Sequence, residues 1–119
     1  MAGLSMTDFE EQMRDVCSKS SVVKSVNLFA STENSNLWRI LLKNDTAVDV
    51  DISFVDAYYS NAGKISFAHI KNNVRIFGAD NAGGRWHWHP YEDPQRHDFV
   101  DKEIAFAEFL KHIEENLSK

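Results

Sequence analysis

Two of the chain's five histidines and two of its three tryptophans fall within one stretch, Asp80-Asn81-Ala82-Gly83-Gly84-Arg85-Trp86-His87-Trp88-His89-Pro90, and a third histidine, His97, follows shortly after it. Imidazole exchanges a proton near neutrality, and its neutral form is the commonest metal ligand, so the cluster points to acid–base chemistry or to a metal. In an extended chain, residues two apart share a side; His87 and His89 would then face one ligand while Trp88 faces the core. Cleavage of a phosphodiester without metal needs a base, an acid and a group to hold the developing charge. His87 or His89 paired with His97 would supply the first two. Arg85 and Arg96 would hold the phosphate bidentately, and Trp86 or Trp88 would stack on a base.

A metal reading draws on His87, His89, His97 and Asp80. His-x-His is a weakly specific pair and the wider spacing matches no familiar zinc module, so the expectation is no resident cofactor, with a divalent metal as the alternative. Plainer readings stand beside these. An irregular loop could use Trp86, Trp88 and Tyr91 to cover a sheet end and leave its histidines in solvent. Arg85 and Arg96 could be solvated loop charges, and Asp80 and Asn81 could be turn caps bonded to their own backbone. Against the plain loop, Pro90 and Pro94 would stiffen the segment at little entropic cost, which suits a site that must hold its geometry. His69 is in phase with Ile65 and Phe67 and reads as a hydrogen-bonded core or edge residue; His112 reads as solvent-facing. Asp45, Asp49, Asp51 and Asp56 form an acidic ladder, read as the decorated outer face of a strand.

The elements that must position these residues follow from periodicity. Thr7-Asp8-Phe9-Glu10 has the form of a capping box, and Phe9, Met13, Val16 and Cys17 share one face of a helix expected over 8–17. The period then drops to two, and strands are expected at 22–30, 37–43, 47–55, 64–71 and 74–77. The clearest has Val48, Val50, Ile52 and Phe54 alternating with Asp49, Asp51 and Ser53. Asn44-Asp45 and Asn72-Asn73 tolerate left-handed backbone and mark hairpin turns. A second helix is expected over 101–117, with Phe106, Phe109, Leu110, Ile113 and Leu117 on one side. Short connections leave no room for crossovers. The expected fold is therefore α+β: a two-layer sandwich with an antiparallel meander of about five strands and both helices on one face.

The 119 residues fit one domain spanning 1–119. A 43% hydrophobic, 26% charged composition is that of a soluble protein. No apolar run approaches the roughly 20 residues that cross a bilayer, and the first residues lack a secretory pattern, so a cytoplasmic protein with no membrane partner is expected. Cys17, the sole cysteine, excludes an internal disulfide and reads as a small buried hydrophobe. A net charge of −5 argues against a general nucleic-acid coat protein, though not against a local site that meets RNA.

The order of elements and these residues together resemble the TumE-like family, small prokaryotic proteins proposed as toxins of toxin–antitoxin pairs. Ile76-Phe77-Gly78-Ala79-Asp80-Asn81-Ala82 resembles that family's Asp-Asn signature, His87-Trp88-His89-Pro90 its His-Pro part, and Pro94-Gln95-Arg96-His97 a second histidine element, over about residues 20–117. This chain departs from the pattern in three places. Gly78 and Ala79 stand where relatives carry arginine and an aromatic, Gly83-Gly84-Arg85-Trp86 is inserted before the first histidine, and the second element keeps one histidine. The resemblance implies a site of Asp80, Asn81, His87, His89 and His97, RNA cleavage, and a cognate antitoxin as partner. The alternative is a non-enzymatic interaction or metal-binding module with a His-rich loop.

Overall fold

The computed structural model describes residues 6–54 and 62–118. It is α+β: helix α1 (Met6–Ser18), strands β1 (Val23–Ser31), β2 (Ser35–Leu42), β3 (Ala47–Phe54), β4 (Ala62–Lys71), β5 (Val74–Asp80), β6 (His87–His89) and β7 (Asp98–Phe99), and helix α2 (Phe106–Leu117). The strands form one antiparallel sheet in sequence order. Seven strands are present among the described residues where about five were expected. The additional two are the histidine strand and its partner, too short for periodicity to register. Asp56 lies outside the described residues.

Hairpin chemistry is what the side chains dictate. Asp45, Asn72 and Asn73 all have positive φ, and two consecutive left-handed residues at Asn72-Asn73 give the primed turn whose twist matches the flanking strands β4 and β5. Helix α2 begins at Phe106, five residues later than its pattern allows. Ala105 is extended at φ −75°, ψ 151°, and Ile104 is buried in the core, so anchoring of that side chain delays the helix. At the other end of the chain α1 extends back to Met6, which places Thr7 inside the helix. Glu10 accepts a hydrogen bond from Arg14 at 2.7 Å. No helix among the described residues is long and apolar enough to cross a membrane.

Both helices cover one face of the sheet. Phe67 is the hub: its ring lies 6.4 Å from Phe9 of α1 and 5.3 Å from Phe109 of α2, and Phe109 stacks on Phe77 at 5.1 Å. Trp38, Ile40, Val48, Val50, Ile52, Met13, Leu110 and Ile113 complete the layer. Cys17 is buried here, and burial pushes its thiol up to about 11, so it is an inert packing group.

One polar chain crosses this layer. His69 Nδ1 lies 2.7 Å from the Tyr91 hydroxyl and Nε2 lies 2.8 Å from Thr46 Oγ1, while Thr46 Oγ1 donates to Asn44 Oδ1 at 2.6 Å. With the Thr46 proton committed to Asn44, Thr46 accepts from His69 Nε2–H and the Tyr91 O–H donates to Nδ1. His69 is thus a satisfied core residue. Burial and the Lys71 charge hold it near a pKa of about 4, down from 6.5.

Two outcomes are expected. Phe109→Ala removes the ring between Phe67 and Phe77 and lowers unfolding free energy by about 3–5 kcal/mol, read from denaturant melts. Because folded His69 stays neutral while the unfolded chain takes up a proton, stability falls as pH drops from 6.5 towards 4. His69→Gln makes that slope shallower, and an unchanged slope would assign the acid sensitivity elsewhere.

Candidate metal centre

The face away from the helices is read off the registers. Asp80 pairs with Ser66 on one side and His87 on the other, and His87 pairs with Phe99. Ala68, Gly78 and His89 form the adjoining row. The period-two alternation of β6 therefore sends His87 and His89 to this face and Trp88 to the helix face. Trp88 there stacks on Phe77 at 5.6 Å and lies 4.6 Å from His112.

His97 reaches the same place through a tightly folded loop. Tyr91 stacks on Phe77 at 4.3 Å and moors the loop's start. Arg75 Nη2 donates to the Pro94 carbonyl at 2.9 Å and moors its middle, and turns close at Asp93 and Arg96. The His97 ring then sits 4.9 Å from His87 and 4.8 Å from His89, centroid to centroid. One ring nitrogen from each of the three lies within 4.8 Å of the others, the only such group of three metal-ligating side chains among the described residues. His87 and His89 are 4% and 3% exposed; His97 is open to solvent.

Asp80 binds the pair from below. Its Oδ1 lies 3.1 Å from His87 Nε2 and its Oδ2 lies 3.0 Å from His89 Nε2, and Oδ1 also accepts from the Ala82 amide at 2.9 Å. One carboxylate thus caps the turn at Ala82 and contacts both histidines. Burial works to raise its pKa, but the Ala82 amide, the His89 hydrogen bond and the charges of His87 and His89 outweigh it and hold the carboxyl below its usual value. His89 is also shifted down, chiefly by burial, against the pull of Asp80. A simple ion pair would raise the histidine, so this contact is a neutral imidazole N–H donating to a carboxylate.

Two features of the donors remain open. His89 Nδ1 is buried with no hydrogen-bond partner among the described residues. His87 has oxygens at both nitrogens, the Arg85 carbonyl 3.1 Å from Nδ1 and Asp80 from Nε2. A ring with N–H at both nitrogens meets both contacts; a ring with one N–H leaves the other nitrogen's lone pair facing an oxygen, where a bound cation would be accommodated. Backbone carbonyl and carboxylate partners of this kind are how metal-ligating histidines are oriented.

The other residues singled out by sequence are placed as follows. Asn81 accepts from the Ile65 amide at 2.8 Å and serves to pin β4 to the end of β5. Trp86 packs on Phe67 at 5.9 Å, and with Trp88 it belongs to the core side, so neither offers a face beside the histidines. Arg96 is held by both oxygens of Asp98 and by Glu92, which occupies the edge expected to hold phosphate. Arg85 does stand at the cluster, its guanidinium 4.6 Å above the Phe99 ring. Sequence reasoning missed Phe99, 5.0 Å from His87, and Arg75, whose side chain crosses Gly78 to reach the loop. The Arg75-x-x-Gly78 spacing carried no signal that would have found them.

Gly78 is required by that crossing. A Cβ there would stand 3.0 Å from the Phe67 carbonyl oxygen and 3.1 Å from Arg75 Cδ. Gly78→Ala is expected to cost about 1–3 kcal/mol, measured by denaturant melts, since the backbone oxygen cannot move aside without breaking the β4–β5 ladder. No protein-family model matches the chain, nor does any curated protein or solved structure, so the geometry of these side chains carries the functional reading.

Proposed function

We propose that the chain binds a divalent cation of the zinc class through His87, His89 and His97, with Asp80 orienting the first two, and that the centre activates water for hydrolysis. The observation that carries this is the convergence of three imidazole nitrogens within 4.8 Å. Three neutral nitrogen donors with a nearby carboxylate suit zinc, which takes three protein ligands in catalytic sites and keeps a position for water. Metal–nitrogen bonds of about 2.0–2.1 Å need the donors closer than they stand, and the exposed His97 ring is the one free to turn inward. A bound zinc lowers the pKa of its water to about 7. The buried, unpartnered His89 Nδ1 supplies the motive, since a bound cation would give that nitrogen a partner.

The second reading is the toxin-like, metal-independent ribonuclease, neutralised by a cognate antitoxin. Its specific support is that His97 lies one ring's width from both His87 and His89, close enough for one histidine to take a proton and another to give it. The residues that the family resemblance implies, apart from Asn81, meet at this one place.

Calorimetric titration of metal-stripped protein with zinc is expected to show one ion per chain, with His87→Ala and His97→Ala each weakening it at least 100-fold. Binding that survives both substitutions, or none at all, would sink the metal centre. Asp80→Asn keeps the shape but removes the charge and is expected to weaken zinc 10–100-fold, as loss of such partners does. Cleavage of a mixed RNA pool separates the readings. Activity only with metal supports a catalytic metal, activity without it supports acid–base histidines, and none in either state removes the nuclease from both.

A further inference from the structure

Five arginines lie among the described residues, and their partners divide them. Arg14 pairs with Glu10, Arg39 with both oxygens of Asp49, and Arg96 with Asp98 and Glu92. Arg75 and Arg85 have no carboxylate partner among the described residues, and both flank the histidine cluster. Arg75 and His89 both lie against Gly78, Arg75 Cδ 3.1 Å and His89 Cδ2 3.6 Å from where its Cβ would stand, and Arg85 stands over Phe99, the ring that abuts His87 and His97. In a chain of net charge −5, the two guanidiniums left without an anion are the two at the candidate site.

The manner in which Arg85 is held matters as much as its charge. The Arg85 guanidinium carbon lies 4.6 Å from the centre of the Phe99 ring, a partner that offers no carboxylate or carbonyl oxygen, so its N–H edge keeps its capacity to donate. No hydrogen bond from that edge to another described residue competes for it. Arg75 spends one N–H on Pro94 and keeps the rest. A planar fork of free donors beside imidazoles is the arrangement that recognises phosphate oxygens bidentately. Carboxylates would be recognised by the same fork, but the tetrahedral anion alone offers further oxygens to the histidines or their metal at the same time.

We propose that the face formed by Arg85, set over Phe99, and Arg75 is a phosphate subsite, and that the substrates of the histidine centre are phosphate esters. The assignment rests on the centre proposed above for its chemistry, while the binding of phosphate needs only the arginines. The two therefore fail separately. Phe99 acts here as a positioning residue, and its 48% exposure is explained as the platform that holds Arg85 beside the cluster.

The test is binding of inorganic phosphate to metal-stripped protein at constant ionic strength, followed by calorimetry and by the arginine side-chain N–H resonances. Wild type is expected to bind phosphate in preference to acetate, with the Arg85 resonance shifting. Arg85→Gln is expected to weaken binding at least tenfold, about 1.4 kcal/mol, and Phe99→Leu by a smaller factor, while Arg96→Gln leaves it unchanged. Phosphate bound no better than acetate, or equal loss in Arg85→Gln and Arg96→Gln, overturns the subsite. Zinc titration of the same Arg85→Gln sample serves as the fold control. Unchanged zinc affinity with lost phosphate supports the proposal, and absence of zinc binding in wild type would strike the metal centre and leave the phosphate result to be read by itself.

Discussion

Asp80 sets one oxygen 3.1 Å from His87 and the other 3.0 Å from His89, and a half-buried carboxylate in that position must be compensated or it destabilises the fold. The compensation comes from the Ala82 amide and the imidazole N–H donors together. This one contact fixes the orientation of two rings and ties β6 to β5. It also leaves His89 Nδ1 buried without a hydrogen-bond partner among the described residues. The rest of the structure is arranged to hold that carboxylate where it is. The Asn72-Asn73 turn sets the β4–β5 register, Asn81 locks the end of β5 to Ile65, and the short helical turn at Ala82–Gly84, with Gly83 at φ 75° and Gly84 at φ 85°, reverses the chain so that His87 returns opposite Asp80.

The two faces of the sheet divide labour at this corner. On the helix side Trp86 and Trp88 bury their rings against Phe67 and Phe77, which fixes β6 by packing. The opposite side carries small residues, Ser66, Ala68 and Gly78, beside the histidines. Bulk on one face therefore supplies rigidity and its absence on the other supplies room. The loop carrying His97 is fastened at Tyr91 by stacking and at Pro94 by Arg75, which is the degree of fixation a binding site on a loop needs. His97 itself stays exposed, so the cluster has two rigid members and one adaptable one.

Charge follows the same pattern. Most basic side chains with resolved partners are neutralised locally, as Arg39 is by Asp49 and Arg96 by Asp98 and Glu92. Such pairs add little stability at the surface, but they remove positive charge from where it has no use. The guanidiniums of Arg75 and Arg85 are held by a carbonyl and a ring, groups that orient a cation without cancelling it.

Much of this was legible in the residues. Period-two alternation with Asn and Asp turns determined a meander, the i, i+4 apolar spacing determined two helices on one face, and His-x-His around a tryptophan determined that two imidazoles would share the side opposite an aromatic. Those inferences hold because each depends on local geometry, which one residue and its near neighbours control. Other features were settled only by tertiary structure. Strand β7 has two residues and exists because β6 is there to pair with it. Ile104 delays α2 because the core has a place for it. Arg96 is spent on Asp98, while Arg75, distant in sequence from the histidines, crosses above Gly78 to reach their loop. Asp80 could be read as a cap or as a site residue, and only the β5–β6 register set its carboxylate against His87 and His89 while it caps Ala82. Sequence periodicity records which way a side chain faces; which side chains meet across strands depends on register and packing, and those are properties of the folded chain as a whole.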